Sequence, residues 1–342
     1  MQFFWCILLV LVFSSVCTSQ NNDNFERFDE KTFERQLEKL PSQITKPRWE
    51  FFYQKGVEAF ENESYESAGQ FISKSRIIAE KLEDNFLIGK SLRFTGKIET
   101  KLFQLTKASR TFEKASSFLQ QVDDSPELKL EVGFLLNDWA QRFTNPNFIH
   151  DEIDLREAQK LLFFALKISG NPNLQGSELK ILTMLNIANC FGIKGNFLAQ
   201  IYWLEKVNSA IVDKPSAERF RAEVFSGLVD AYLKLGNVTR VNFYLQQLEP
   251  ITKGRKTQRL NYLRQLVDFY SKINSNLRYQ ALDEGIQLSK QFKDFNQLSE
   301  FYRTKMLILL VDGKFDKAKE YIKQLEEQKI QALRDSLSAN QQ

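Results

Sequence analysis

The sequence predicts an all-α fold, a stack of about seven helical hairpins, and three observations carry that prediction. Ala68, Ala108, Ala158, Gln200, Val241, Ala281 and Ala318 recur at intervals of 37 to 50 residues, each inside a similar local pattern. Gly195, Gly236 and Gly313 each stand five residues before one of these origins, where a left-handed glycine ends one helix and lets the chain reverse. Hydrophobic residues at 43% and aromatics at 13% of 342 residues suffice for a continuous core.

The elements follow in order. The first 22 residues carry no charged side chain, and the apolar run Phe3 to Phe13 leads into small residues. This pattern predicts a signal peptide over residues 1–19, with an uncleaved anchor and lipid attachment at Cys17 as alternatives. Phe25, Phe28, Phe33, Leu37 and Leu40 form a helical stripe that stops at Pro41, which predicts a cap helix within residues 20–47.

The repeat array spans residues 48–328. Gly56 lies twelve residues before Ala68 with Ile72 four after, and Gly96 stands in the same relation to Ala108, Phe112 and Ala115. Ala188, Gln200, Leu204 and Val207 repeat the frame, as do Val229, Val241, Leu245 and Leu248, and then Phe315, Ala318, Ile322 and Leu325. Origin, fourth and seventh positions share one helix face, and the small residue twelve earlier lets the paired helix come close. Unit three departs from the frame, with the insertion FTNPNFIHDEID between Gly133 and Ala158 predicted as the most mobile internal loop. In unit six Gly285 stands where a larger apolar residue is expected. Residues 329–342 continue the last apolar stripe through Ile330, Leu333 and Leu337 into a polar tail.

The segments NIANCFGIKG and NFLAQIYWLEKV, VDAYLKLGN and DGKFDKAKEYIKQL resemble the tetratricopeptide repeat, a likeness that covers Arg48 to Gln328. The period exceeds that family's ~34 residues, which also admits a neighbouring helical-repeat family. The resemblance implies a right-handed α-solenoid in which the first helix of each hairpin lines a concave groove. Residues of those helices outside the packing frame then become candidates for partner binding: Arg93 and Lys97 in unit two, Asn189 in unit four, Asp230 in unit five, Arg264 and Asp268 in unit six, and Arg303 in unit seven. Arginine and asparagine at such places suit a carboxylate or the backbone of an extended peptide.

Chemistry is sparse elsewhere. The one histidine, His150, falls in the insertion, and Cys190 is the one cysteine beyond the signal segment, inside an apolar helical pattern. Gly89-Lys90-Ser91 lacks the earlier glycine of a phosphate loop and reads as part of a helix. Asn62-Glu63-Ser64 and Asn237-Val238-Thr239 match the glycosylation acceptor but sit where turns favour the same residues. No catalytic, metal or cofactor site is expected, and a net charge of +4 spread along the chain lacks the basic stripe that nucleic acid requires. The expected function is an exported, non-enzymatic scaffold, periplasmic or extracellular, that holds a protein or peptide in its groove. The alternative is the sensory segment of a membrane signalling receptor, since the chain is similar to exported tetratricopeptide segments of bacterial sensor histidine kinases and regulators, with the output module missing here.

Overall fold

The computed structural model describes residues 44–144, 152–174, 178–212, 220–292 and 294–339. The signal segment, most of the cap-helix segment and His150 lie outside them. Among the described residues, fourteen α-helices pair into seven hairpins. These are α1 (Lys46–Glu61) with α2 (Tyr65–Lys81), α3 (Asn85–Lys101) with α4 (Leu105–Leu119), and α5 (Pro126–Arg142) with α6 (Glu152–Ser169). There follow α7 (Leu179–Ile193) with α8 (Phe197–Val212), α9 (Arg221–Lys234) with α10 (Val238–Thr252), and α11 (Lys256–Lys272) with α12 (Leu277–Gln291). The last pair is α13 (Phe295–Val311) with α14 (Phe315–Ala339). No strand occurs among the described residues, and none of their helices is long and apolar enough to cross a membrane.

The reversals share one geometry. Glu63 (φ 60°), Phe103 (60°), Gly195 (73°), Gly236 (71°) and Gly313 (70°) all occupy the left-handed region, each five residues before its origin. The next residue donates its N–H back across the helix end: Ser64 to the Ala59 carbonyl at 2.8 Å, Gln104 to Glu99 at 2.9 Å and Asn196 to Phe191 at 2.9 Å. This satisfies carbonyls that the helix itself leaves unpaired. The glycine rule therefore finds three of these turns, while Glu63 and Phe103 adopt the same backbone at a steric cost of about 1–2 kcal/mol each.

All seven origins are buried, including Gln200, which lies against Gly192. Close approach explains Gly96: a methyl group there would meet Phe112 Cε1 at 2.7 Å. The expectation of a larger residue at position 285 is corrected. Phe301, from the next hairpin, fills the space over Gly285, and a β-carbon there would lie 2.4 Å from its ring. The unit-three insertion is shorter than expected, because Glu152, Ile153 and Asp154 already form the first turn of α6. The residues before them, 145–151, lie outside the described ones.

Apolar burial runs through three clusters. One joins Trp49, Phe52, Ile72, Phe94, Phe112 and Leu135 in the first hairpins, and a second joins Leu185, Leu204, Leu228, Leu245, Leu263 and Phe301 in the later ones. A small cluster around Ala140, Ala158, Leu162 and Cys190 bridges them. Burial pushes the Cys190 thiol up to about 12, so it behaves as a small apolar side chain.

Candidate functional site

Successive first helices α3, α5, α7, α9 and α11 touch one another, while second helices touch mainly their flanking first helices. The side of a curved stack with the shorter repeat distance is the inside, so the first helices line a concave surface. The curve also brings distant turns together. Thr257, at the start of α11, donates a hydrogen bond to the Glu63 carboxylate at 3.2 Å across 194 residues of sequence, and Lys101 at the end of α3 acts electrostatically on Glu223 of α9.

A ladder of polar side chains one repeat apart runs along this inner face. Arg93 on α3 donates from Nε to Glu131 and from Nη1 to Asp138 at 2.5 Å, both on α5, and from Nη2 to the Tyr53 hydroxyl at 3.2 Å on α1. Asn186 on α7 donates to Asn137 on α5 at 2.9 Å. Asn189 on α7 donates to the Glu223 carboxylate on α9. Gln265 on α11 donates to the Ser226 carbonyl at 2.9 Å, and to Ser226 Oγ and Asp230 Oδ1 at 2.8 Å each, all on α9. Arg264 pairs with Glu300 of α13 at 3.3 Å.

This geometry sorts the seven candidates. Arg93 is corrected: only 7% exposed and held on three sides, it locks α1, α3 and α5 together instead of facing the groove. Burial works against its charge, but Glu131, Tyr53 and Asp138 outweigh that and hold its pKa above the ordinary arginine range. Lys97, one turn on, is half-buried, with its ammonium 5.0 Å from the Phe60 ring centre and 5.5 Å from that of Phe94. Desolvation lowers its pKa, with Asp138 acting the other way. Asn189 is half-buried in the ladder, and Asp230, Arg264, Asp268 and Arg303 are exposed on the inner helices.

Glu223, Asp230 and Asp268 show solvent-accessible surface yet are ringed by protein inside the concavity, and that surrounding raises all three carboxyl pKa values. The Asn189 hydrogen bond opposes the shift at Glu223, that of Gln265 at Asp230, and the Arg264 charge at Asp268. Arg264, Glu300, Gln297 and Thr304 also line a small crevice between α11 and α13. Sequence reasoning missed Glu131, Asp138, Asn137, Asn186, Glu223 and Gln265. Their one available signal is spacing, since each stands about one repeat period from its partner.

No protein-family model and no curated protein matches the sequence. Among solved structures, aspartyl phosphate phosphatase F from Bacillus subtilis superposes with a TM-score of 0.59 at 12% identity, over 82% of this chain and 70% of that one. The apo form of RapI gives 0.58 at 14% identity, over 89% of this chain and 80% of that one. A Rap protein complexed with Competence and Sporulation Factor gives 0.58 at 14% identity, over 89% and 81%. What the chain shares with these proteins is a fold, the tetratricopeptide-like array of helical hairpins.

Proposed function

We propose that the chain is an exported, non-enzymatic scaffold that holds a peptide or an extended protein segment in its concave groove. The observation that carries this reading is the inner face itself. Polar and charged side chains of α7, α9, α11 and α13 stand in register along a concavity, several of them exposed and two carboxylates desolvated without a full ion pair. A curved, hydrogen-bonding surface of that length suits an extended chain better than a compact small molecule. One structural neighbour is described as complexed with a factor, which agrees with a binding role for the fold. The phosphatase activity named for another does not transfer at 12% identity. Export rests on the sequence of residues 1–19 alone.

The test is retention of synthetic peptides from a random pool by the immobilised chain, compared between Arg264→Glu on the inner face and Lys206→Glu on the outer helix α8. Loss of retention with the first variant and not the second supports the groove. Equal retention by both, or loss only with the outer variant, contradicts it.

A further inference from the structure

The last hairpin keeps the packing positions of the earlier ones but leaves them open. The residue four after each origin sits between its own hairpin and the next: Phe112 lies against Gly96 of its own pair, while Phe301 from the following first helix fills the space over Gly285. Ile72, Phe112, Leu162, Leu204 and Leu245 hold this position in other units and are at most 3% exposed. Ile322 holds it in the last unit and is 40% exposed.

The paired helix gives the same comparison. Eleven residues before their origins, Asn189 and Asp230 each bond to the next hairpin, the first to Glu223 and the second to the Gln265 amide at 2.8 Å. Leu307 takes this position on α13 and is 43% exposed. Where earlier units place a hydrogen-bonding group, the last one offers an apolar side chain, which suits a dry contact. Leu325 shares the Ile322 face of α14 and is half-buried, and Ile330 continues the exposed apolar side just over two turns on. Helix α14 has 25 residues against 15 to 18 in the other second helices, and is about 38 Å long.

Charge selects the occupant. Around the apolar strip, Lys317, Lys319 and Lys323 outnumber Asp316 and Glu320 in the first part of α14, and Glu326 and Glu327 follow. Within one copy Lys319 and Lys323 make only long, exposed pairs, to Asp316 at 3.9 Å and to Glu327 at 3.7 Å, which contribute little. Arg303, one turn before Leu307, is a further exposed cation at this end. A surface that carries both signs in separated halves is complementary to itself when two copies lie antiparallel across a two-fold axis. We propose that the last hairpin is a self-association surface, on which α13 and α14 of a second copy pack through Leu307, Ile322, Leu325 and Ile330. The contact continues the hairpin-on-hairpin packing that runs along the stack. It closes as a dimer, because the two copies use the same patch.

Sedimentation velocity of the full chain from about 1 to 100 μM reads the oligomeric state directly. A monomer–dimer equilibrium is expected, weakened at least about tenfold by Ile322→Glu and by Leu307→Glu, each of which buries a charge only in the dimer. Both side chains are exposed in a single copy, so the circular dichroism and melting of dilute samples stay at wild-type values. Leu198→Glu, at an exposed apolar position on α8, leaves the dimer intact. Lys319→Glu with Lys323→Glu also weakens association, and adding Glu326→Lys with Glu327→Lys to the same chain restores it. A chain that stays monomeric throughout, or a dimer that Ile322→Glu and Leu307→Glu leave unchanged, overturns the proposal. Maleimide labelling of Ile322→Cys identifies what covers the strip, since Cys190 is buried. Labelling that slows as concentration rises supports a second copy, whereas protection independent of concentration assigns the strip to a segment of the same chain and overturns the proposal.

Discussion

The hairpins at the two ends of the array use one repeat geometry for different purposes. In α1 to α5 one arginine and two carboxylates are consumed within the wall. Arg93, Glu131 and Asp138 are buried together beneath Tyr53, and Trp49 donates to Ser91 at 3.0 Å in the same packed layer. In α9 to α13 the equivalent helices leave Asp230, Arg264, Asp268, Glu300 and Arg303 at the surface, joined by one 3.3 Å ion pair and the Gln265 amide. A solenoid repeats its backbone, not its surface, so a stable wall and a binding wall can coexist along one stack. The buried charges serve register: an ion cluster that needs three helices at once penalises any slip between hairpins.

The sharpest way to break this comparison is to remove one cation from each wall. Arg93→Met leaves Glu131 and Asp138 buried without a counter-charge and should lower stability by about 3–5 kcal/mol in urea unfolding. Arg264→Met, at an exposed pair, should change it by less than about 1 kcal/mol. Equal effects would show that the two walls are built alike.

Packing gives the next effect in size. Gly285→Val drives a side chain into Phe301 and should cost about 1–3 kcal/mol. Gly69→Ala, in helix α2 with open space where its β-carbon would stand, should gain about 0.5–1 kcal/mol. Calorimetric melting of the two variants separates contact from propensity.

Smaller still is the backbone term at the second hairpin turn. Phe103 holds φ at 60° where other hairpins use glycine, so Phe103→Gly relieves strain while raising the entropy of the unfolded chain. A net gain of about 0.5 kcal/mol is expected in the same assay. A loss larger than that would mean the half-exposed ring contributes packing the turn needs.

The binding wall should also show in the pH dependence of stability. Asp230 and Asp268 have folded pKa values raised above their unfolded ones, so the folded state binds more protons between those two values and stability falls as pH rises through that window. The double variant Asp230→Asn with Asp268→Asn removes this loss. Its melting temperature should exceed that of wild type at neutral pH, and the gap should close as pH falls into the ordinary carboxylate range. A gap that widens on acidification would contradict the burial argument.

Much of the architecture was legible because repeat physics is local. The small-residue frame at Gly56, Gly96 and the seven origins, and the turn glycines Gly195, Gly236 and Gly313, follow from helix spacing and φ preference. The site was legible only in part. Asp230, Arg264, Asp268 and Arg303 are exposed on α9, α11 and α13, whereas Arg93 is buried because it meets Glu131 and Asp138, 38 and 45 residues on. Irregular repeat lengths blur which side chains meet across hairpins, and no local pattern distinguishes a paired arginine from a waiting one. Gly285 failed for the same reason, since the residue that fills its space, Phe301, belongs to the next unit.

The most direct measurement of the central claim is hydrogen–deuterium exchange of the chain with and without a retained peptide. The account predicts added protection in α7, α9, α11 and α13, whose inner faces line the groove, with the outer helices α6, α8 and α10 unchanged. Protection confined to those outer helices would place the binding surface on the convex side and contradict it.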